Sequence, residues 1–163
     1  DMLTRLERYS EALPLSEVAI SLDPDWLKWR RVRIDALTNL GRGAEAVADA
    51  DRALTKWPDS GPLHAERINA LIAAKQQEEA LAACDRLIGL DPDYRSWALF
   101  SRGEIYGHLK RHAESAMAFR QAAASYQQNG KAEYQDLSLR RAQAADDAAA
   151  APRGFLGRLF GRK

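Results

Sequence analysis

The sequence predicts an all-α fold: an α-solenoid of helix-turn-helix repeats closed by a C-terminal capping helix. Two observations carry this. The near-copies SLDPDW (21–26), KWPDSG (56–61) and GLDPDY (89–94) place Pro24, Pro58 and Pro92 at intervals of 34 residues. Between them apolar residues recur at helical spacing, as in Ile34, Leu37, Leu40 and then Val47, Ala50, Leu54. A fixed period of this length is the signature of a repeat architecture. No segment alternates with the period of a strand.

Taken in order, residues 1–26 hold the second half of a truncated repeat. RYSEALPLSEVAISLDPDW is read as a helix starting near Ser10, with Pro14 in or beside its first turn, where few backbone N–H groups have partners. DMLTRLE is read as the tail of an earlier helix, so the natural chain is expected to extend upstream of Asp1. Residues 27–60 and 61–94 are full repeats. Arg33-Ile34-Asp35-Ala36-Leu37 stands over Arg67-Ile68-Asn69-Ala70-Leu71, Glu45-Ala46-Val47 over Glu79-Ala80-Leu81, and Asp51-Arg52 over Asp85-Arg86.

A third repeat, 96–129, aligns after one inserted residue, through Arg102 to Tyr106 and then Phe119 and Ala122. Asp25 and Asp93 are expected to cap helix starts with a side-chain oxygen. Gly41 is expected to end a helix in the left-handed conformation, and the prolines are expected to stop the second helix of each unit. Residues 131–150 form the capping helix, with Tyr134, Leu137, Arg141, Ala144 and Ala148 along one face. Residues 151–163 are a basic amphipathic tail.

Small residues at Ala12, Ala46 and Ala80, and again at Ala19, Ala53 and Ala122, let helices cross closely, while Leu37, Leu71 and Tyr106 fill the space between units. In these positions the chain resembles the tetratricopeptide repeat family, over about residues 1–129. Arg33, Arg67, Asp49 and Cys84 look like the variety found in co-chaperone and bacterial members, and arginine far outnumbers lysine, as in GC-rich bacterial genes. The chain departs from the family pattern at Arg30 and His64, where an aromatic residue is usual, at Ile34 and Ile68, where a small one is usual, and at Lys75 and Lys110, where the turn glycine is usual. Ser115 fills the small position of the third unit.

The composition is that of a folded chain, 46% hydrophobic and 29% charged. With 24 basic against 23 acidic residues there is no global field to draw nucleic acid, and no nucleic-acid partner is expected. The single Cys84 has no partner for an internal disulfide and reads as a buried small hydrophobe. No apolar run approaches the ~20 residues a membrane-spanning helix needs. His108 and His112 straddle a predicted turn without cysteine or HExxH context, so no metal site is expected. The glycines of LGRGAEA follow no strand and lack the lysine and hydroxyl of a phosphate loop. Carboxylates are scattered rather than paired for acid–base work. The segment is read as non-enzymatic and without cofactor, in the cytoplasm or peripheral at the inner membrane. The alternative is a regulatory or substrate-presenting segment of a larger enzyme whose catalytic domain lies upstream.

The resemblance implies a protein or peptide partner held in a concave groove lined by the first helices. By helical spacing its rows are Lys28, Arg31, Asp35 and Thr38; Ala65, Asn69 and Ile72; and Trp97, Phe100 and Glu104. Trp97 and Phe100 are expected either to anchor an apolar side chain or to pack between repeats, with Asn69 pairing a peptide backbone group. The carboxylate clamp of some co-chaperones is not expected, because Asp35, Glu66, Trp97 and Ser101 stand where asparagine, lysine or arginine belong. The tail PRGFLGRLFGRK spaces Phe155, Leu156, Leu159 and Phe160 as on a helical face among Arg153, Arg158, Arg162 and Lys163. It admits three readings: contact with an anionic membrane surface, a docking peptide for a partner or for the protein's own groove, or a disordered terminus.

Overall fold

The computed structural model describes residues 2–151, with side chains from Leu6 onward. Among them the chain forms eight helices and no strand: α1 Met2–Leu22, α2 Leu27–Asn39, α3 Gly43–Lys56, α4 Gly61–Ala73, α5 Gln77–Leu90, α6 Pro92–His108, α7 His112–Gln128 and α8 Ala132–Ala150. Each packs on the next in sequence. Successive first helices also pack on one another, α2 on α4 and α4 on α6, whereas second helices stand further apart. The stack therefore closes in on the side of α2, α4 and α6.

The turn within each hairpin is a Schellman motif, closed by two backbone bonds that satisfy the last carbonyls of the first helix. In the first unit the N–H of Gly41 reaches Thr38 O at 3.2 Å and that of Arg42 reaches Leu37 O at 2.9 Å. The same pair recurs from Lys75 and Gln76, from Lys110 and Arg111, and from Gly130 and Lys131. One residue in each motif must take the left-handed conformation. Gly41 (φ +76°) and Gly130 (φ +69°) do so freely, but Lys75 (φ 61°) and Lys110 (φ 58°) carry a Cβ into it. At the next residue the sequence repeats a second device: Arg42 with Glu45, Gln76 with Glu79 and Arg111 with Glu114 bridge the first turn of each second helix.

The proline turns work differently from the expectation. Asp25 and Asp93 are not the caps. In the last DPD the first aspartate does that work, Asp91 Oδ1 accepting from Asp93 N at 2.9 Å at the start of α6; in the first DPD Asp23 Oδ1 accepts from Asp25 N at 3.1 Å within the turn, and α2 begins after Trp26 without a side-chain cap. Asp25 instead forms an ion pair with Lys56. Pro92 occupies the first turn of α6, where its missing N–H costs nothing, and α5 has already ended at Leu90. In the middle turn Ser60 caps α4.

The departures at Arg30 and His64 are explained here too. Both are 34 residues apart, and both bond back to the turn proline six residues upstream. Arg30 donates to Pro24 O at 3.0 and 3.1 Å, and the ring Nε2 of buried His64 stands 2.8 Å from Pro58 O.

One boundary differs from the reading of the sequence. No helix begins near Ser10, because α1 runs unbroken from Met2 to Leu22 with Pro14 inside it. Pro14 removes a single bond, to the carbonyl four residues earlier, and the inward face of Leu13 and Ser16 stays buried on α2. Ile34, Leu37, Ala46 and Ala50 in one unit and Ile68, Leu71, Ala80 and Cys84 in the next are fully buried, forming two consecutive core layers. Truncating such a leucine or isoleucine costs about 2–5 kcal/mol.

A ladder of arginines crosses from each second helix to the following first helix. Arg33 meets Glu17, Arg67 meets Asp51 and Arg102 meets Asp85, at 3.4, 2.5 and 2.7 Å. The acids are half or more exposed, so each pair is worth at most about 1 kcal/mol and fixes register more than stability.

Candidate functional site

The last hairpin opens a cleft. α8 packs along α7, while α6 and α8 do not close on each other as successive first helices do elsewhere. The gap, about 240 Å³, is lined by Asn69 and Ile72 of α4, Trp97, Phe100, Ser101 and Glu104 of α6, Tyr126 of α7, and Tyr134 and Leu137 of α8.

Its walls are built from aromatic contacts. Phe100 stands edge-on to Phe119 with centroids 5.1 Å apart, and Tyr126 stacks on Tyr134 at 5.2 Å across the Gly130 turn. Gly103 lets α6 approach that close: a Cβ there would lie 2.8 Å from the Phe119 ring. Trp97 packs at the edge of the core layer around Leu87 and Ile105. Burial, and then the neighbouring Tyr134, push the Tyr126 hydroxyl above its ordinary pKa, so it is a neutral donor at physiological pH. At the open edge Tyr134 and Leu137 are exposed, and Glu104 faces Arg141 of α8 at 4.0 Å.

Of the ten residues placed in the groove by helical spacing, five meet in this cleft: Asn69, Ile72, Trp97, Phe100 and Glu104. Trp97 and Phe100 both pack inward and line the opening. Ala65 is not on the surface. At 8% exposure it belongs to the core, because α6 packs over that face of α4.

The α2 row lies outside the cleft and is engaged with its neighbours. Arg31 bridges to Glu66 at 3.1 Å, Asn39 Nδ2 donates to the backbone carbonyl and to Oδ1 of Asp35, and the Thr38 hydroxyl donates to Ile34 O. Lys28 is exposed beside the Trp29 ring. Burial holds the Glu66 carboxyl above the usual carboxylate range, with Arg31 opposing.

Tyr126, Tyr134 and Leu137 are the residues that groove spacing alone does not supply. The sequence puts Tyr134 and Leu137 at the centre of the packing face of α8, and the buried face is turned to the neighbouring side, with Tyr134 at its edge against Tyr126. The buried face of α8 is Ser138, Ala142 and Ala145, while Arg141, Tyr134 and Leu137 look into the cleft side.

Cys84 is fully buried, its thiol pushed up to about 12 chiefly by burial and secondarily by Asp85. Among the described residues no group of three histidine, cysteine or acidic side chains is placed to hold a metal ion, and no helix is long and apolar enough to cross a membrane. The tail residues Arg153, Phe155, Leu156, Arg158, Leu159, Phe160, Arg162 and Lys163 lie outside the described residues.

The fold and its repeated Schellman turns define a helical-repeat protein of the tetratricopeptide type. Its structural neighbours are of that kind: a crystal structure of MamA (13% identity, TM-score 0.60, 88% of this chain on 92% of that one) and the structure MamA MSR-1 C2 (19% identity, TM-score 0.58, 90% on 91%). At these identities the likeness is one of fold. By its sequence the chain belongs to the bacterial transcriptional activator domain family, whose pattern it matches over residues 5–90, more than half its length. No curated protein matches it.

Proposed function

We propose that this protein is a non-enzymatic interaction module whose α4/α6/α8 cleft holds a short segment of a partner protein. The observation that supports it most is the meeting of Trp97, Phe100, Tyr134 and Leu137 around one opening edged by only a few polar groups. An apolar body with a few placed polar atoms is the usual make-up of a recognition pocket. An aromatic or aliphatic side chain fills the opening. Asn69, exposed at its rim, pairs a backbone amide of the segment, and Glu104 takes a basic neighbour. A cleft of about 240 Å³ is small for a cofactor and suits one or two side chains. The family name points the partner search toward bacterial transcriptional regulators, and the remainder of such a regulator in the same polypeptide is one source of the segment.

The test is capture from a host lysate by the full chain, by a variant carrying Tyr134→Ser and Leu137→Ser, and by Arg86→Ser on α5 as a control, each read by mass spectrometry. Tyr134 and Leu137 are exposed, so their loss leaves the core intact. A partner retained by the parent and the control and lost by the cleft variant is expected. Equal recovery by all three refutes the reading.

A further inference from the structure

We infer that the outer side of the solenoid carries a second, independent site: a seat between Arg67 of α4 and Arg86 of α5 for a carboxylate of an acidic partner segment. The repeat builds this place twice. A hollow of about 330 Å³ between α1, α2 and α3 is lined by Glu17, Ile20, Arg30, Arg33, Asp49 and Arg52. The next, of about 320 Å³, takes in the residues 34 further on: Asp51, Leu54, His64, Arg67, Ala83 and Arg86.

In the first hollow buried Asp49 answers two arginines. One of its oxygens accepts from Arg33 and the other from Arg52 at 2.5 Å, while Glu17 takes the remaining edge of Arg33 at 3.4 Å. In the second hollow that position is Ala83, also buried, which has no acceptor to offer. Asp51 reaches Arg67 at Nε alone, 2.5 Å away. Both terminal nitrogens of Arg67 and the whole of Arg86 are left without a hydrogen-bond or ion-pair partner among the described residues. The space remains, because Asp51 and His64 are smaller than Glu17 and Arg30, their counterparts. In the third unit, one residue longer in register, Gln121 stands in the place of Arg86. It accepts from Arg102 at 2.5 Å, with Asp85 on the other side of that guanidinium at 2.7 Å. Of the three, the middle unit sets two guanidinium groups on one hollow with no acceptor between them.

Two such groups repel unless an anion stands between them, and their planar forks match the two oxygens of a carboxylate. Asp49 shows which anion the repeat accommodates there. Half-buried Leu54 and exposed Pro58 give the hollow an apolar wall. The segment that fits is therefore a glutamate or aspartate flanked by small apolar residues. Arg67 and Asn69 stand two residues apart on α4 and so face opposite ways. The seat and the aromatic cleft lie on different sides of that helix and take different ligands.

The experiment has two arms. Fluorescence anisotropy follows a fluorescein-labelled peptide of alternating glutamate and alanine on the full chain in low salt, beside its glutamine version, inorganic phosphate and a labelled DNA duplex. The glutamate peptide is expected to bind and the others are not. Arg86→Ser and Ala83→Asp should each weaken it about tenfold, the first by removing a charge-assisted contact, the second by placing an internal carboxylate where the peptide's would sit. Tyr134→Ser with Leu137→Ser should leave it unchanged, as Arg86→Ser leaves capture by the cleft, so each site stands or fails without the other. The second arm is urea unfolding of Ala83→Asp with and without Arg86→Ser. The shift in midpoint caused by the added carboxylate should be more favourable with Arg86 present than without it.

A peptide bound equally well after Arg86→Ser or Ala83→Asp overturns the inference. So does phosphate or DNA bound as tightly as the glutamate peptide, or a midpoint shift indifferent to Arg86. Where Ala83→Asp does not fold, the effect of Arg86→Ser on the peptide decides alone.

Discussion

Lys75 and Lys110 occupy the position that Gly41 and Gly130 fill in the other Schellman turns, with the same two backbone bonds and φ near +60°. Holding a residue with a Cβ in the left-handed region costs roughly 1–2 kcal/mol. Glycine removes that cost but gives back about 0.5–1 kcal/mol through its greater freedom in the unfolded chain. Lys75→Gly is therefore expected to stabilise the fold by about 0.5–1 kcal/mol, and Gly41→Lys to destabilise it by a similar amount. Neither lysine has an ion-pair partner among the described residues, so no lost contact offsets the gain.

Urea unfolding followed by circular dichroism reads both, and for a chain of this size 1 kcal/mol corresponds to about 2–4 °C in Tm. Because repeats open as nearest-neighbour units, amide exchange across α4 and α5 should slow in Lys75→Gly while that of α8 stays unchanged. Destabilisation by Lys75→Gly, or no effect of Gly41→Lys, would refute the equivalence of the turns on which the repeat reading rests.

Other outcomes follow from the same packing. Gly103→Ala should cost about 1–3 kcal/mol through overpacking and weaken partner capture as well, because the added methyl drives Phe119 and its neighbour Phe100 into the cleft; thermal unfolding and capture read the two effects. Asp91→Ala should cost about 1 kcal/mol for the lost cap of α6, measured in urea, with Asp93→Ala near neutral. Cys84 should be inert to iodoacetamide at pH 8 in the native state, since its thiol is pushed up to about 12, and react only at the rate at which α5 opens. Burial raises the Glu66 pKa in the folded chain, so between its unfolded and folded values the native state holds the extra proton. Stability should then decline as pH rises through the window just above 4.5, and Glu66→Gln should flatten that slope in urea titrations at successive pH values.

The pairing of α2 to α7 into helical hairpins was legible because the proline turns recur every 34 residues, but the helix count was not, since DMLTRLE reads as a separate helix and belongs to α1. Nor were individual boundaries. Pro14 reads as an interruption, yet one missing bond in a helix of 21 residues is tolerated where the inward face is packed. In a DPD either aspartate satisfies the preference for a short acceptor at a helix start; that Asp91 caps α6 while neither Asp23 nor Asp25 caps α2 depends on where the backbone turns, and that is a tertiary property.

The packing face of α8 was misjudged for a related reason. In an alanine-rich helix the large residues Tyr134 and Leu137 look like the centre of the buried stripe, but α8 lies so close to α7 that the small Ser138, Ala142 and Ala145 take that place and Tyr134 stacks on Tyr126 at the edge. Trp97, Phe100 and Asn69 were found from spacing because they face one way on regular helices. Tyr126 could not be, since its place beside Tyr134 is set by the turn at Gly130 rather than by periodicity.

The cleft's role is tested most directly by titrating the captured partner, in purified form, onto the full chain, onto the variant with Tyr134→Ser and Leu137→Ser, and onto Arg86→Ser. Calorimetry should show at least about tenfold weaker binding for the cleft variant, the loss expected for removing one buried apolar contact, with the Arg86 variant equal to the parent. Equal affinity in all three would place recognition elsewhere on the solenoid and contradict the account.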